Sequence, residues 1–507
     1  MNLPRAKIPV IIFTVWMLSV CLPARAGAQL QYEEGVWVSY TDFNQVTDVA
    51  VGRDYIYIAT TGGVLRYHRY RNRWEDPWVV VRGFEGRVDL RGATNVDYLE
   101  ETNEVAVAVV RDSLYHYIYD PVARYWMRME PGEHTFSPSL QVDIPDAIFL
   151  DLPDWTVSHR TYFLQGKNVI MDSYLRKFYL GVFADDGWGN WWVGLDGIGT
   201  LQLDRRSQRG IVWELGLYSR DIRTLARGEG WTILAGHNRQ GGIVFWKREE
   251  NIWDHLEPTY TAGLESSWIN DLAVYNHWVL AATDYGLAQI NLKDGTCRTW
   301  TVFDGLWSKR TTCVAVDGDT AWVGMENGVC ILHLPRGPVD RLDMEALLNQ
   351  PCYRIAVDAQ AVWIGGELGL FRVDRQTGTG GYLGLEGGVG GAVYALHSIP
   401  DEIWVGRFTG IEAVDKQSLK QTGFPAQAFF DGAEVHAIMA GDSLVWIGTN
   451  RGLWKFDRVR NRWHRYSQAD GLLDDRVYSI LGDGDYLLLG TRDGVTRFFW
   501  NDPTRID

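Results

Sequence analysis

The sequence predicts an all-β fold assembled from repeated four-stranded units, and three observations carry that prediction. Near-copies of one phrase recur: "AWVGMENGVCIL" from Ala321, "VWIGGELGLFRVD" from Val362, "EIWVGRFTGIEAVD" from Glu402 and "VWIGTNRGLWKFD" from Val445. Two glycines four residues apart punctuate each copy, and from Gly286 onward the second of them returns after 42, 41, 41, 42 and 42 residues. Composition agrees, because 24 tryptophans and 54 glycines in 507 residues supply the packing surfaces and tight turns that short strands need.

Within one unit the strands follow in order. "VHAIMA" from Val435 has apolar residues mainly at alternate positions, and Gly441-Asp442 turns it into "LVWIG". Thr449-Asn450-Arg451-Gly452 then turns into "LWKFD", and a polar stretch leads to "RWHRYS". Strands this short, joined by Gly, Asp and Asn, form hairpins and not βαβ units. A four-stranded unit of about 40–45 residues is the size of one propeller blade, so the expected fold is a closed β-propeller. The first glycine of each pair is expected to keep the second strand lean where neighbouring blades press together. The tryptophan before it fills the space between blades.

The chain opens differently. Arg5 and Lys7 precede an uncharged run from Ile8 to Leu22, followed by the small-x-small sites Ala24-Arg25-Ala26 and Ala26-Gly27-Ala28. That layout predicts a secretory signal peptide over residues 1–28, a mature propeller over residues 29–507 and a periplasmic or extracellular location. Losing Arg5, Lys7 and Arg25 takes the formal charge from -15 to -18. A chain this acidic, with no basic block, argues against nucleic-acid or anionic-lipid partners, and no later run reads as a membrane span.

The two ends fit each other. The last repeat stops after its third strand, while "GVWVSYTD" near the mature N-terminus belongs to no unit. Its Trp37-x-x-Tyr40 repeats Trp463-x-x-Tyr466, so residues 36–40 are expected to supply the missing outer strand of the last blade and close the ring. About ten repeats of 41–42 residues bear the motif, at Ala59, Val109, Gly194, Ala235, Ala282, Gly324, Gly365, Gly406, Gly448 and Gly490. Residues 131–172 carry none and read as an insertion or a degenerate blade. One ten-bladed ring and two smaller rings both fit the count, with the single ring favoured.

The unit, with its W-(I/V)-G-T-x-x-G core followed by W-x-x-Y-x-x-x-D-G-L, resembles the two-component regulator propeller repeat. "RWHRYSQADGLLDDRVYSILGDGDYLLLGTRDG" from Arg462 and "WTVFDGLWSKRTTCVAVDGDTAWVGMENG" from Trp300 carry the likeness best. The resemblance implies a periplasmic sensor-type propeller, of the kind that often senses carbohydrate breakdown products. In that family the propellers lead into an immunoglobulin-like domain, a membrane span and a kinase, none of which is recognisable here. The scaffold and an expectation of binding carry over. Similar repeats also occur in exported propellers of secretion machinery, which implies the alternative of a structural component of an envelope or secretion assembly.

Propeller sites lie where the loops between strands two and three, and between blades, converge on the channel. The expected ligand-binding residues are Arg220, Trp268, Trp307, Arg310, Arg354, Arg407 and Arg476, amid rim charges such as Arg239, Asp284, Glu326 and Glu367. Arginine grips carboxylates in a two-point fork and tryptophan stacks on a sugar ring, so a small molecule, an oligosaccharide or an envelope protein is the expected partner. Loops are polar whether or not they bind, so charge alone does not settle the matter.

Enzyme signals are poor: no HExxH, no Gly-x-Ser-x-Gly elbow and no close histidine pair. The expectation is therefore no catalytic residue, no metal and no cofactor. His237 and His436 keep open a lyase reading, since propeller lyases with comparable repeats work with histidines and a glutamate near the channel mouth. The Asp-Gly clusters at Asp185, Asp317 and Asp483 lack calcium-loop spacing and read as turns. Cys313 and Cys330 fall on the first and third strands of one unit, about 9–10 Å apart, beyond disulfide reach. Cys297 and Cys352 lie in other units, so four unpaired, mostly buried thiols are expected.

Overall fold

The computed structural model describes residues 35–502 apart from 112–113, 131, 139–143, 145–147, 152–155, 239–240 and 384–390. The expected signal peptide and Arg239 lie outside the described residues. Ten antiparallel-rich sheets account for nearly all regular structure, and no described helix is long and apolar enough to cross a membrane.

The T-x-x-G signature shows why each unit folds locally. Thr60, Thr283, Thr449 and Thr491 are buried, and each hydroxyl donates to the carbonyl of the glycine three residues on, at 2.8 Å. The same oxygen accepts the N–H two residues on, so one side chain closes the turn twice. Gly494 ends its turn at φ 143°, which an L side chain resists. The D-G-L signature is equally physical. Thr301 and Ser467 cap short 3₁₀ turns in reciprocal boxes with Asp304 and Asp470, and Leu306 and Leu472 then drop into the core.

The landmark glycines report which sheets touch. A Cβ at Gly365 would meet Val393, just before the next sheet's innermost strand, and at Gly406 Val435 and at Gly448 Val477, both on the next sheet along the chain. At Gly490 it would meet Ile222 instead, skipping back across the sequence. Sheets starting at Ile222, Ile269, Thr311, Cys352, Ala395, Val435 and Val477 therefore pack in chain order, and the innermost strand Val477–Asp483 packs back on Ile222–Gly228. Those seven sheets, blades one to seven, form the closed ring.

The N-terminal strand closes it as expected. Trp37–Tyr40 pairs antiparallel with Gly494–Phe499, matching Trp37 to Phe498 and Tyr40 to Val495. Trp37 is 2% exposed and stacks on Phe498 with centroids 3.8 Å apart.

The remaining three sheets stand outside that ring, which corrects the single ring of ten. A Cβ at Gly194 would meet Val46, so the third of these sheets packs on the first, and Val46–Val51 also packs on Ala93–Leu99 of the second. They form an arc in the order third, first, second. The chain leaves the ring after the closing strand and re-enters before blade one, where Asp42 and Gly216 bridge antiparallel. An equal repeat length does not reveal this, because every unit presents the same lateral surfaces and only the packing decides which unit meets which.

The described part of residues 131–172 makes no sheet of its own. Phe149–Asp151 runs parallel to Arg209–Trp213, and Tyr162–Leu164 with Val169–Asp172 extends the opposite edge of the same sheet. Arg160, 3% exposed, ties this segment to the ring by donating to Glu214 at 2.7 Å and Glu257 at 3.1 Å.

Candidate functional site

The site begins with a backbone irregularity. In blades one to four, six and seven the innermost strand shifts register after its first residue, between Ile222 and Thr224, Ile269 and Asp271, Thr311 and Cys313, Cys352 and Arg354, Val435 and Ala437, and Val477 and Ser479. The skipped residues are Arg223, Asn270, Thr312, Tyr353, His436 and Tyr478. Tyr394 holds the same position in blade five, its N–H bonded to the Gly406 carbonyl at 2.9 Å. A bulge re-aims a side chain out of the pleat. All seven residues line one cavity of about 530 Å³ at the mouth of the ring, one from each blade. The volume suits a small ligand.

The bulge is a property of the repeat, since the arc sheets carry it too, at Thr47 and Thr94. What distinguishes the ring is the chemistry placed on it. Tyr353 and Tyr394 stack at 5.0 Å, and Tyr394 continues onto half-exposed Phe408 at 4.2 Å. Across the cavity the Arg223 guanidinium lies 3.8 Å over the Tyr478 ring, held there by both oxygens of Asp221. Arg310 bridges Asp284 at 2.9 Å and Glu326 at 3.0 Å. Asn270 donates its amide N–H to Asp284 at 3.0 Å and its Oδ1 accepts from His237 Nε2 at 2.8 Å, which sets the His237 tautomer. Rigid aromatic faces alternate with hydrogen-bonding groups whose own partners fix them.

Burial, then the charges of Arg223 and Arg476, push the His436 imidazole down to about 4, so it is neutral at pH 7. Burial likewise lowers His237. Burial and then the Glu367 carboxylate, which accepts the Tyr353 hydroxyl at 2.7 Å, raise that phenol, so it stays protonated. At neutral pH His237, His436 and Tyr353 are thus uncharged donors and acceptors.

The expected site residues separate into three groups. Arg310 and Arg354 line the cavity, Arg354 anchored at 2.9 Å on Asp271. Trp268 stands at its edge, 43% exposed and 4.9 Å from His237, while exposed Arg476 acts on His436 through its charge. Arg220, Trp307 and Arg407 do not line it. Arg407 is 1% exposed, paired with buried Glu412 at 3.2 Å and donating to the Gly391 carbonyl, so it belongs to the blade interior. Trp307 is half-buried beneath the Arg341 guanidinium. Arg220 is exposed next to Asp221. Among the described residues no group of three or more His, Cys, Asp or Glu side chains is placed to hold a metal ion.

Sequence reasoning looked to the loops and missed Arg223, Asn270, Tyr394 and Tyr478. The signal for them was the residue directly after the first apolar position of each innermost strand, which falls out of the strand's alternation only because the backbone bulges there.

No family model and no curated protein matches the chain. Solved structures do match. PorZ, a surface component of the type-IX secretion system of Porphyromonas gingivalis, aligns over 90% of this chain and 69% of its own at 15% identity and a TM-score of 0.49. Extracellular domains of two hybrid two component systems of B. thetaiotaomicron align over 90% and 94% of this chain and 70% and 77% of their own. Their identities are 13% and 12% and their TM-scores 0.44 and 0.49. At these identities and scores, nothing about ligand or partner follows for this chain.

Proposed function

We propose that this chain, whose repeat resembles that of two-component regulator propellers, is an exported, non-catalytic binding propeller that takes a small molecule or oligosaccharide at the mouth of its seven-bladed ring. The observation that carries the reading is the convergence of one bulge-positioned side chain from every blade on a single cavity of about 530 Å³. Its Tyr353–Tyr394–Phe408 face suits the apolar face of a sugar ring, and Arg310, Asn270 and Glu326 are placed to meet hydroxyl or carboxylate groups. The non-catalytic part rests on the histidines. His237 Nε2 is engaged by Asn270, and among the described residues no histidine–carboxylate pair lies in the cavity.

The test is calorimetric titration of the mature protein with a panel of mono- and oligosaccharides, beside the Tyr394→Ala and Arg310→Ala variants. Binding by the wild type that weakens at least tenfold in Tyr394→Ala supports the site. Binding that both variants leave unchanged places the ligand elsewhere, and product formation during incubation would instead establish the lyase reading.

A second reading, a structural component of an envelope or secretion assembly, draws on the arc, where Phe84, Val122, Phe149 and Leu175 are 67–91% exposed. Recovery of the chain in a detergent-stable complex from its native envelope, lost on Phe84→Asp and Phe149→Asp substitution, would favour it.

A further inference from the structure

The sequence places Cys313 and Cys352 in different units and so predicts both unpaired. The ring changes their neighbourhood. Cys313 lies on Thr311–Asp317 of blade three and Cys352 on Cys352–Val357 of blade four, and these innermost strands pack side by side. Both are buried, at 0% and 1% exposed, and their sulfur atoms are 3.7 Å apart. Gly324 leaves the room they occupy, since a Cβ there would run into both sulfurs. The Thr312 hydroxyl donates to the Cys352 carbonyl and sets the two strands in this register.

We propose that Cys313 and Cys352 form a disulfide that staples blade three to blade four beneath the cavity, in the oxidising compartment that the export reading implies. A disulfide needs its sulfurs about 2.0 Å apart, so these must approach by about 1.7 Å. The reaction is thiol–disulfide exchange. The thiolate of one cysteine attacks an external low-molecular-weight or enzymatic disulfide and releases one thiol. The second cysteine then displaces the other, so that two protein thiols are oxidised and one external disulfide is reduced to two thiols. The two protein protons pass to the released thiolates.

Burial fixes when this happens. Enclosed beneath the cavity, neither sulfur meets an external disulfide in the finished ring, and burial together with the facing Cys313 raises the Cys352 thiol well above its ordinary value. Exchange therefore belongs to the stage before blades three and four finish packing. Cys297, half-buried in blade two, and Cys330, on the third strand of blade three, face no second sulfur among the described residues and stay reduced.

The experiment refolds the full mature chain from denaturant in a glutathione redox buffer, blocks remaining thiols with an alkylating agent, and counts them by intact mass. Two blocked thiols and a Cys313–Cys352 linked peptide are expected, with a melting temperature that falls on reduction. The Cys352→Ser variant, treated identically, should show three blocked thiols and no response to reductant. Four blocked thiols in the refolded wild type, or a linkage that involves Cys297 or Cys330, would overturn the proposal. Should the serine variant fail to fold, the wild-type peptide map decides alone.

Discussion

Single residues in this ring act mainly through how closely they let neighbours approach. At Gly448 a Cβ would lie 2.9 Å from both the Cγ1 and the carbonyl oxygen of Val477, so Gly448→Ala is expected to destabilise by about 1–3 kcal/mol. Gly381→Ala, where a Cβ meets nothing, serves as the neutral comparison, and denaturant melts of both variants check the difference. His436 supplies a pH dependence. Its folded-state value of about 4 lies below the unfolded value of about 6.5, so the unfolded chain binds the extra proton between them. Stability contributed by neutral His436 is therefore complete above about pH 6.5 and declines as pH falls towards 4, by at most about 3 kcal/mol. Between pH 7 and 4 wild type should lose stability that His436→Gln, which takes up no proton there, keeps. Parallel curves would show that this histidine does not carry the loss.

Individual elements are held by short-range devices that the sequence spells out. The T-x-x-G turns are one case: Thr491→Val removes a buried hydroxyl that both donates to Gly494 and accepts from Asp493, an expected loss of about 1–3 kcal/mol, read from denaturant midpoints. The closing strand is the other. It joins residues nearly the whole chain apart, so its loss opens the ring and bares an edge on blade seven. Trp37→Ala should cost about 3–5 kcal/mol, and deleting residues 29–40 should abolish a cooperative melt. A deletion variant with an unchanged melting temperature would show that seven blades hold the ring without it.

For the whole molecule, the arc reads as a long excursion between the closing strand and blade one. Asp42 and Gly216 already pair, so replacing residues 45–213 with a short Gly-Ser linker should leave a folded ring that keeps its channel-mouth cavity. Its melting temperature should drop, because Phe43 and Leu215 belong to a core cluster that draws on both parts and Arg160 leaves with the arc, taking the arginine partner of Glu214 and Glu257. Circular dichroism and saccharide titration of that variant check both points. Failure to fold would show that the arc is part of the ring's own core.

By itself the sequence determined what is local: the strand order within a blade, the turns that threonine and glycine close, the lean second strand and the outer strand carried at the opposite end. These are legible because each is written within one repeat, or as a fragment missing from one unit and left over in another. Only the tertiary structure decided that seven sheets close while three form an arc, that Arg407 turns into its blade and that Cys313 meets Cys352. The repeats carry interchangeable sides, so which unit meets which depends on the long-range packing of Gly490 on Ile222 and Gly194 on Val46. The channel mouth was half visible for the same reason. Arg310 and Arg354 stand out as charges at strand starts, but Tyr394 and Tyr478 look like ordinary strand residues until a bulge turns them inward.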